Sequence, residues 1–368
     1  MHYHIILTEI CNLKCKYCYE KSMQEFDNGL GEKWDYDEKT PFDSEIPVEK
    51  LKKFLKPEDT LIFYGGEPLV KADKIREIID NVRCKFAIQT NGVLLRRLSP
   101  EYLKKIDKML ISIDGTRERT DSSRGDGIYD LVIKNLKWLR SEGYNGEIVA
   151  RMTISFPDIY EQVMHLVSLI DEGIFDSIHW QIDAGFYKFD FDKVAFTKFV
   201  DEYNNGINKL LGWWVGKIRT GKVYRLYPFI GILNRLSGQD ATSGLPCGSG
   251  YSNFTFNTSG KISACPIMNS VKNFYCGSID EGIKKEIHVT DEKCTKCNYF
   301  KICGGRCLYW RDAKLWPVEG NELICKTIKF LIDSISSRMK EILKNESSGI
   351  VSSKDFEYER YFGPEIIP

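Results

Sequence analysis

Cysteines are the residues in this sequence best placed to do chemistry. The 368-residue chain holds twelve, in an uneven distribution. Three fall at Cys11, Cys15 and Cys18 within CNLKCKYCYE, Cys84 stands alone, and eight lie between 247 and 325. In a reducing compartment, clustered cysteines serve as metal ligands or catalytic groups more often than as disulfides. Three is too few for a structural zinc, which takes four ligands, and too many for one disulfide. No fourth ligand stands nearby in sequence: His2 and His4 belong to the preceding strand, on the other side of the loop. Three thiolates on a tight loop can instead hold three irons of a [4Fe–4S] cube. Such a cube ordinarily takes four cysteines, so here one iron is left open to a ligand that is not protein.

The later cysteines are spaced Cys247-x12-Gly260-x4-Cys265, then Cys294-x2-Cys297-x5-Cys303-x3-Cys307, then Cys325. A zinc ribbon made from Cys294, Cys297, Cys303 and Cys307 is one reading. It leaves Cys247, Cys265 and Cys325 unexplained.

Strands and helices must position these groups. Apolar runs at 2–8, 60–64, 85–89, 109–113, 147–154 and 177–182 read as strands. Helical periodicity falls at 48–54, 74–81, 100–106, 129–142, 159–172 and 194–211. Six βα units with short connections make a parallel sheet with right-handed crossovers. Six is short of a closed eightfold barrel, so the expected fold is α/β, a partial (β/α)6 TIM-like barrel. Polar or glycine-containing motifs follow the strand ends: the cysteine loop, Gly65-Gly66-Glu67-Pro68, Asn91 in TNG, and Ser112 and Asp114 in SIDG. In parallel barrels that end builds the active site. From about 212 the rhythm changes. Residues 213–237 read as mostly helical and 247–325 as loop-rich, with a core thin enough to need metal or covalent staples. An amphipathic helix is expected over 326–344. Residues 21–47 form an acidic, aperiodic stretch that could cover the mouth of the site.

CNLKCKYCYE resembles the Cx3CxφC signature of radical S-adenosylmethionine (radical SAM) enzymes, with Tyr17 as the aromatic residue. The resemblance implies a cube whose open iron is chelated by the amino and carboxylate groups of S-adenosyl-L-methionine. One electron then cleaves that cofactor to methionine and a 5′-deoxyadenosyl radical, which abstracts hydrogen from a C–H bond. It also implies roles for the strand-end motifs. Gly65, Gly66 and Glu67 resemble the motif that binds the methionine ammonium. Tyr17 would lie near the adenine, with Asn91, Ser112 and Asp114 around the cofactor. Arg124 in TDSSR resembles an arginine that pairs with the methionine carboxylate, a task for which Arg151 is the rival.

The seven later cysteines match the pattern of the SPASM domain, appended to a subset of these enzymes and holding two auxiliary [4Fe–4S] clusters. By that resemblance Cys247, Cys265 and Cys307 ligate the first, and Cys294, Cys297, Cys303 and Cys325 the second. Cys276 is the candidate fourth ligand of the first. The cofactors implied are S-adenosyl-L-methionine and three [4Fe–4S] clusters. The implied organisation is a radical SAM partial barrel over 1–211 and a helical connector over 212–246. A small cysteine-rich iron–sulfur domain over 247–330 and a C-terminal helix and tail over 331–368 complete it.

SPASM-bearing enzymes most often modify peptides or proteins. A peptide or protein substrate and a reducing donor of flavodoxin or ferredoxin type are therefore the expected partners. In anaerobic sulfatase-maturating enzymes an aspartate follows the Gx4C cysteine and acts as base. Here Pro266 follows Cys265, which disfavours that activity. Only ten residues precede Cys11, so a leader segment would have to bind the barrel, the 21–47 loop or a separate partner. Asp183 and Tyr187, after the sixth strand, are the candidate catalytic residues. A non-enzymatic iron–sulfur electron carrier is the alternative from another class. Formal net charge is zero, which gives no field for nucleic acid or an anionic membrane. No basic signal segment and no apolar run near ~20 residues are present, so the expected location is cytoplasmic.

Overall fold

The computed structural model describes residues 1–18, 33–183, 191–238 and 244–361. Tyr187 and residues 21–32 of the acidic stretch lie outside these described residues. Strands β1 (His2–Ile6), β2 (Thr60–Tyr64), β3 (Lys85–Thr90), β4 (Lys108–Ser112), β5 (Glu147–Ile154) and β6 (Ser177–Ile182) pair side by side in sequence order, all parallel. The helices between them are α1 (Val48–Phe54), α2 (Ala72–Asn81), α3 (Pro100–Leu103), α4 (Arg117–Arg124), α5 (Ile128–Ser141) and α6 (Ile159–Asp171). The α/β class with a parallel, unclosed sheet is therefore what the chain adopts.

Alternation along the strands separates the core from the site. Residues facing outward, such as Phe63, Ile88, Met109, Ile148 and Trp180, pack into the large core beneath the helices. Each helix supplies a matching stripe; α5 buries Tyr129, Val132, Leu136 and Leu139 at helical spacing. The opposite face begins with a small separate cluster of Ile62, Ala87, Leu110, Val149 and Tyr227. Two residues further on, the same face carries Tyr64, Gln89, Ser112 and Arg151, which line a cavity. An apolar plug thus closes one end of the strands and a polar layer opens at the other. Tyr358 packs on the plug. The tail holds that end shut through Glu359, whose carboxylate meets His2 at 3.2 Å and Lys108 at 3.5 Å.

After β6 come α7 (Lys193–Arg219), β7 (Arg225–Leu226) beside β6, and α8 (Tyr227–Leu236). Residue 211, the end of the expected helix, falls inside α7. The cysteine-rich part is tied to the barrel by main-chain pairing. Its strand β8 (Asn253–Phe256) lies parallel to β1, with His4 opposite Thr255, and β9 (Lys261–Ser263), β10 (Tyr275–Ser278) and β11 (Gly282–Ile283) continue the same sheet antiparallel. Short helices α9 (Glu292–Thr295), α10 (Phe300–Cys303) and α11 (Leu308–Ala313) precede α12 (Val318–Ser347), which packs along α7. No helix among the described residues is long and apolar enough to cross a membrane.

Candidate active site

The cysteine loop leaves β1 and is clamped by the end of β2. Gly66 N–H donates to Thr8 O at 2.8 Å and Glu67 N–H to Ile10 O at 3.0 Å. The approach needs glycine at both positions. Gly65 sits at φ +139° and a Cβ there would overlap Thr8 O, while a Cβ on Gly66 would come within 2.6 Å of Ile10 O. Further along, Lys16 N–H donates to Ser123 O at 3.0 Å, fastening the loop to α4.

Asp114 is the hub behind the loop. Its side chain is fully buried and accepts Arg124 Nε at 2.8 Å and Nη2 at 3.0 Å, Tyr17 Oη at 2.6 Å and Thr153 N–H at 3.0 Å. Arg124 also stacks 5.3 Å from the Tyr17 ring. Burial works against the Arg124 charge, but Asp114, Tyr17 and Cys15 together outweigh it and hold the guanidinium above its ordinary range. Burial likewise raises the Tyr17 hydroxyl. The Cys15 thiol is pushed up by burial, with Arg124 opposing. Asp114, expected beside the cofactor, has each oxygen on two donors of the chain itself, and two nitrogens of Arg124 are spent on it.

Glu67 is completely buried. Oε1 accepts Thr90 Oγ1 at 2.7 Å and Leu69 N–H at 3.0 Å, and Oε2 accepts Asn91 N–H at 2.8 Å. Asn91 turns its own Nδ2 to Asn12 Oδ1 at 2.9 Å, close to Cys11 Sγ at 3.9 Å. Burial lifts the Glu67 carboxyl from 4.5 to about 7 against these hydrogen bonds. The folded chain therefore holds this proton where the unfolded chain has released it. Stability tied to Glu67 is complete below about pH 4.5 and lost as pH rises towards about 7. The loss should be on the order of 3 kcal/mol. Urea unfolding from pH 4.5 to 7.5 should show this slope in the parent and not in Glu67→Gln, and equal slopes would refute it. A cationic amine placed beside the carboxylate would reverse the shift.

These groups surround a cavity of about 240 Å³ lined by Cys11, Cys15, Cys18, Gly65, Gly66, Glu67, Asn91, Ser112, Arg124, Arg151 and Asp183. Arg151 Nη2 donates to Gln181 Oε1 at 3.0 Å, and Asp183 accepts Ser155 Oγ at 3.1 Å. Sequence reasoning set His4 aside, yet it lines the same cavity. Strand alternation, which puts His4 on the face of Tyr64 and Gln89, was the available signal. Its Nδ1 lies 2.9 Å from Asn253 Oδ1, and Asn253 Nδ2 donates to Cys247 O and Tyr361 O at 3.3 and 2.8 Å. That fixes Nδ1 as the protonated nitrogen. Burial brings the imidazole down to about 4, so it is neutral at pH 7.

The same cavity is also lined by Cys247, Cys265 and Cys307, together with Ser249 and Arg306. Cys307 and Cys247 are the thiols that act most on Cys265. Cys294, Cys297, Cys303 and Cys325 form another group: Cys325 and Cys297 act on Cys294, and Cys325 and Cys294 on Cys303. Arg311 Nη2 lies 3.4 Å from Cys325 Sγ. The zinc-ribbon reading put Cys307 with Cys294, Cys297 and Cys303; here Cys307 faces the other group. Among the described residues, no three His, Cys, Asp or Glu side chains close around a single metal ion. Cys276 is buried in β10 with its thiol 3.6 Å from Phe274 O, and its charged neighbours are Lys285 and Glu286, not another cysteine. Ser249, which no spacing rule singles out, is 95% buried with its hydroxyl 3.2 Å from Cys247 Sγ.

The fold and site define an enzyme built on a parallel α/β sheet, with three thiols and a polar cavity at the C-terminal strand ends. Residues 5–170 match the model of the Radical SAM superfamily. The matched superfamily implies S-adenosylmethionine and a [4Fe–4S] cluster, and three thiols on one loop facing a polar cavity fit both. The chain is 24% identical over 366 residues to the radical SAM cyclopropyl synthase TigE of Paramaledivibacter caminithermalis, covering 92% of this chain and 75% of TigE. It is 22% identical over 387 residues to a cysteine-type anaerobic sulfatase-maturating enzyme of Clostridium novyi, covering 91% and 94%. Its fold matches the structure of anSMEcpe with bound AdoMet and Cp18Cys peptide at a TM-score of 0.64, with 17% identity over 93% of this chain and 99% of the other.

Proposed function

We propose that this enzyme reductively cleaves S-adenosylmethionine and uses the 5′-deoxyadenosyl radical to take hydrogen from a peptide or protein. The outcome would be a thioether or carbon–carbon crosslink, an epimerisation or an oxidation. One observation carries the reading: Cys11, Cys15 and Cys18 share a single cavity with Cys247, Cys265 and Cys307. A substrate between them would meet the site of radical generation on one side and an iron–sulfur electron acceptor on the other. The chain's own part is to bind and orient. The loop thiols hold the first cluster, Gly65 and Gly66 offer backbone to the methionine end, and Arg151 offers a cation. Asp183, on the cavity wall, is the proposed acceptor of a substrate proton. Cys294, Cys297, Cys303 and Cys325 hold a third cluster, outside the cavity lining. A flavodoxin- or ferredoxin-type donor supplies the electron.

Peptide chemistry is supported by the bound peptide in the anSMEcpe structure. Sulfatase-maturase-like oxidation of Cys or Ser is the second reading, favoured by the Clostridium novyi relative. Against it, Pro266 follows Cys265 and lines the cavity, and proline offers no carboxylate. The deciding experiment is anaerobic reconstitution followed by chemical reduction with S-adenosylmethionine. Iron and sulfide should reach about twelve of each per chain, three cubes of four, and 5′-deoxyadenosine should form. Loaded protein that forms none under any reductant, with or without peptide, would leave only the electron-carrier alternative.

A further inference from the structure

The segment CGGRC joins the two later thiol groups, with Cys303 in one and Cys307 in the other. Gly304, Gly305 and Arg306 between them have φ of +61°, +93° and +69°. The glycines are required by space: a Cβ on Gly304 would overlap Gly244 O, and one on Gly305 would come within 2.9 Å of Val289 Cγ1. Arg306 is different. A side chain with a β-carbon is disfavoured in the left-handed region, and glycine would be the relaxed choice there. An unusual backbone at a buried, charged residue needs a reason in what the side chain reaches.

Arg306 stands between the two groups: its backbone N–H donates to Cys303 O at 3.0 Å, and Cys307 is the next residue. Arg306 is 95% buried and lines the cavity beside Cys247, Cys265 and Cys307. Burial works most strongly against its charge and Arg311 adds to that, while Cys307 from one group and Cys303 and Cys325 from the other favour it. The Trp310 ring, 5.5 Å from the guanidinium carbon, limits where the head group can swing. Arg311 is less evenly placed. It bonds Gly305 O and Cys325 Sγ at 3.1 and 3.4 Å, and its strongest thiol neighbours, Cys325, Cys294 and Cys303, all belong to the second group.

Resting on the reading of two auxiliary clusters, we propose that Arg306 is the cation shared by both, and that it stabilises each in its reduced form. A cluster gains one negative charge when it takes up one electron. A fixed cation in a poorly solvated setting lowers the energy of that added charge, and so raises the reduction potential. Arg306 acts on both clusters and Arg311 on the second alone. Arg306 is a positioning charge.

The test uses the full chain with Cys11, Cys15 and Cys18 replaced by alanine, so that only the later thiols bind clusters. Iron and sulfide are counted after anaerobic reconstitution, and midpoints are read by electron paramagnetic resonance during titration with dithionite. Arg306→Gln and Arg306→Gly should shift both midpoints to more negative potential. Arg306→Lys should stay near the parent, and Arg311→Gln should move one midpoint only. Midpoints unmoved in the Gln and Gly chains overturn the proposal. So does an equal shift in the Lys chain. If the Gln and Gly chains fail to load while the Lys chain loads, the charge itself is needed and the proposal stands. If the Lys chain fails too, shape and not charge is at work and the proposal falls. A parent chain without sulfide removes the auxiliary clusters themselves, and the iron count shows this before any Arg306 variant is made.

Discussion

Gly66→Ala should empty the three-cysteine site while leaving the later thiols loaded. A methyl group at this position would stand 2.6 Å from Ile10 O and 2.7 Å from Glu9 O. Both obstacles are backbone of the loop that carries Cys11, so no side chain can swing aside to relieve them. The loop must move, and it then loses the bonds from Gly66 N–H to Thr8 O and Glu67 N–H to Ile10 O. Overpacking of this kind costs roughly 1–3 kcal/mol, small for the whole fold and large for one loop. Iron should fall by about one third, the share of one cube in three, and 5′-deoxyadenosine should disappear. Gly127→Ala is the control: its φ is also positive, at +75°, but nothing lies within 4 Å of the added carbon. It should lose roughly 1–2 kcal/mol of stability and keep its iron. Full iron and activity in Gly66→Ala would show that the loop yields without loss.

Much of the fold was legible because parallel strands buried on both faces read as short apolar runs. TLIFY, EIVARMTI and SIHWQI correspond residue for residue to β2, β5 and β6. The long helices were read short. Sequence periodicity ended the first at 211 and began the last at 326, whereas α7 continues to Arg219 and α12 begins at Val318. Gly212 and Gly216 lower helix propensity in α7, but burial of Trp214, Val215 and Ile218 overrides them. The pairing of β8 with β1 joins segments about 250 residues apart, which no local pattern encodes. At the site, spacing located the cysteine loop and the glycines beside it. It did not show that Glu67 and Asp114 take their hydrogen bonds from the chain. Nor did it show that Ser249 and Arg306 stand among the later thiols. Those facts depend on which strand ends and loops meet.

Breaking the Asp114–Arg124 pair should be the most costly single change near the cavity. Both side chains are at least 94% buried, so water cannot replace a lost partner. Arg124→Ala would leave a buried carboxylate with Tyr17 Oη and Thr153 N–H alone, and Asp114→Asn would strand the guanidinium. Removing one member of such a pair costs about 3–5 kcal/mol. The two changes together should cost less than their sum, since the double variant leaves no lone charge. Added salt should change none of these costs much, because screening acts weakly on buried pairs. Urea unfolding of the four proteins measures this, and a cost below about 1 kcal/mol for Arg124→Ala would refute it. The consequence for chemistry follows from what Asp114 joins. Through Tyr17 it reaches the cysteine loop, through Arg124 it reaches α4, and through Thr153 it reaches β5. Lys16 N–H ties the same loop to Ser123 of α4. A chain weakened here should lose iron from the first site at lower urea than it loses its fold, because the loop is held by the pair whereas the sheet is held by its own ladder.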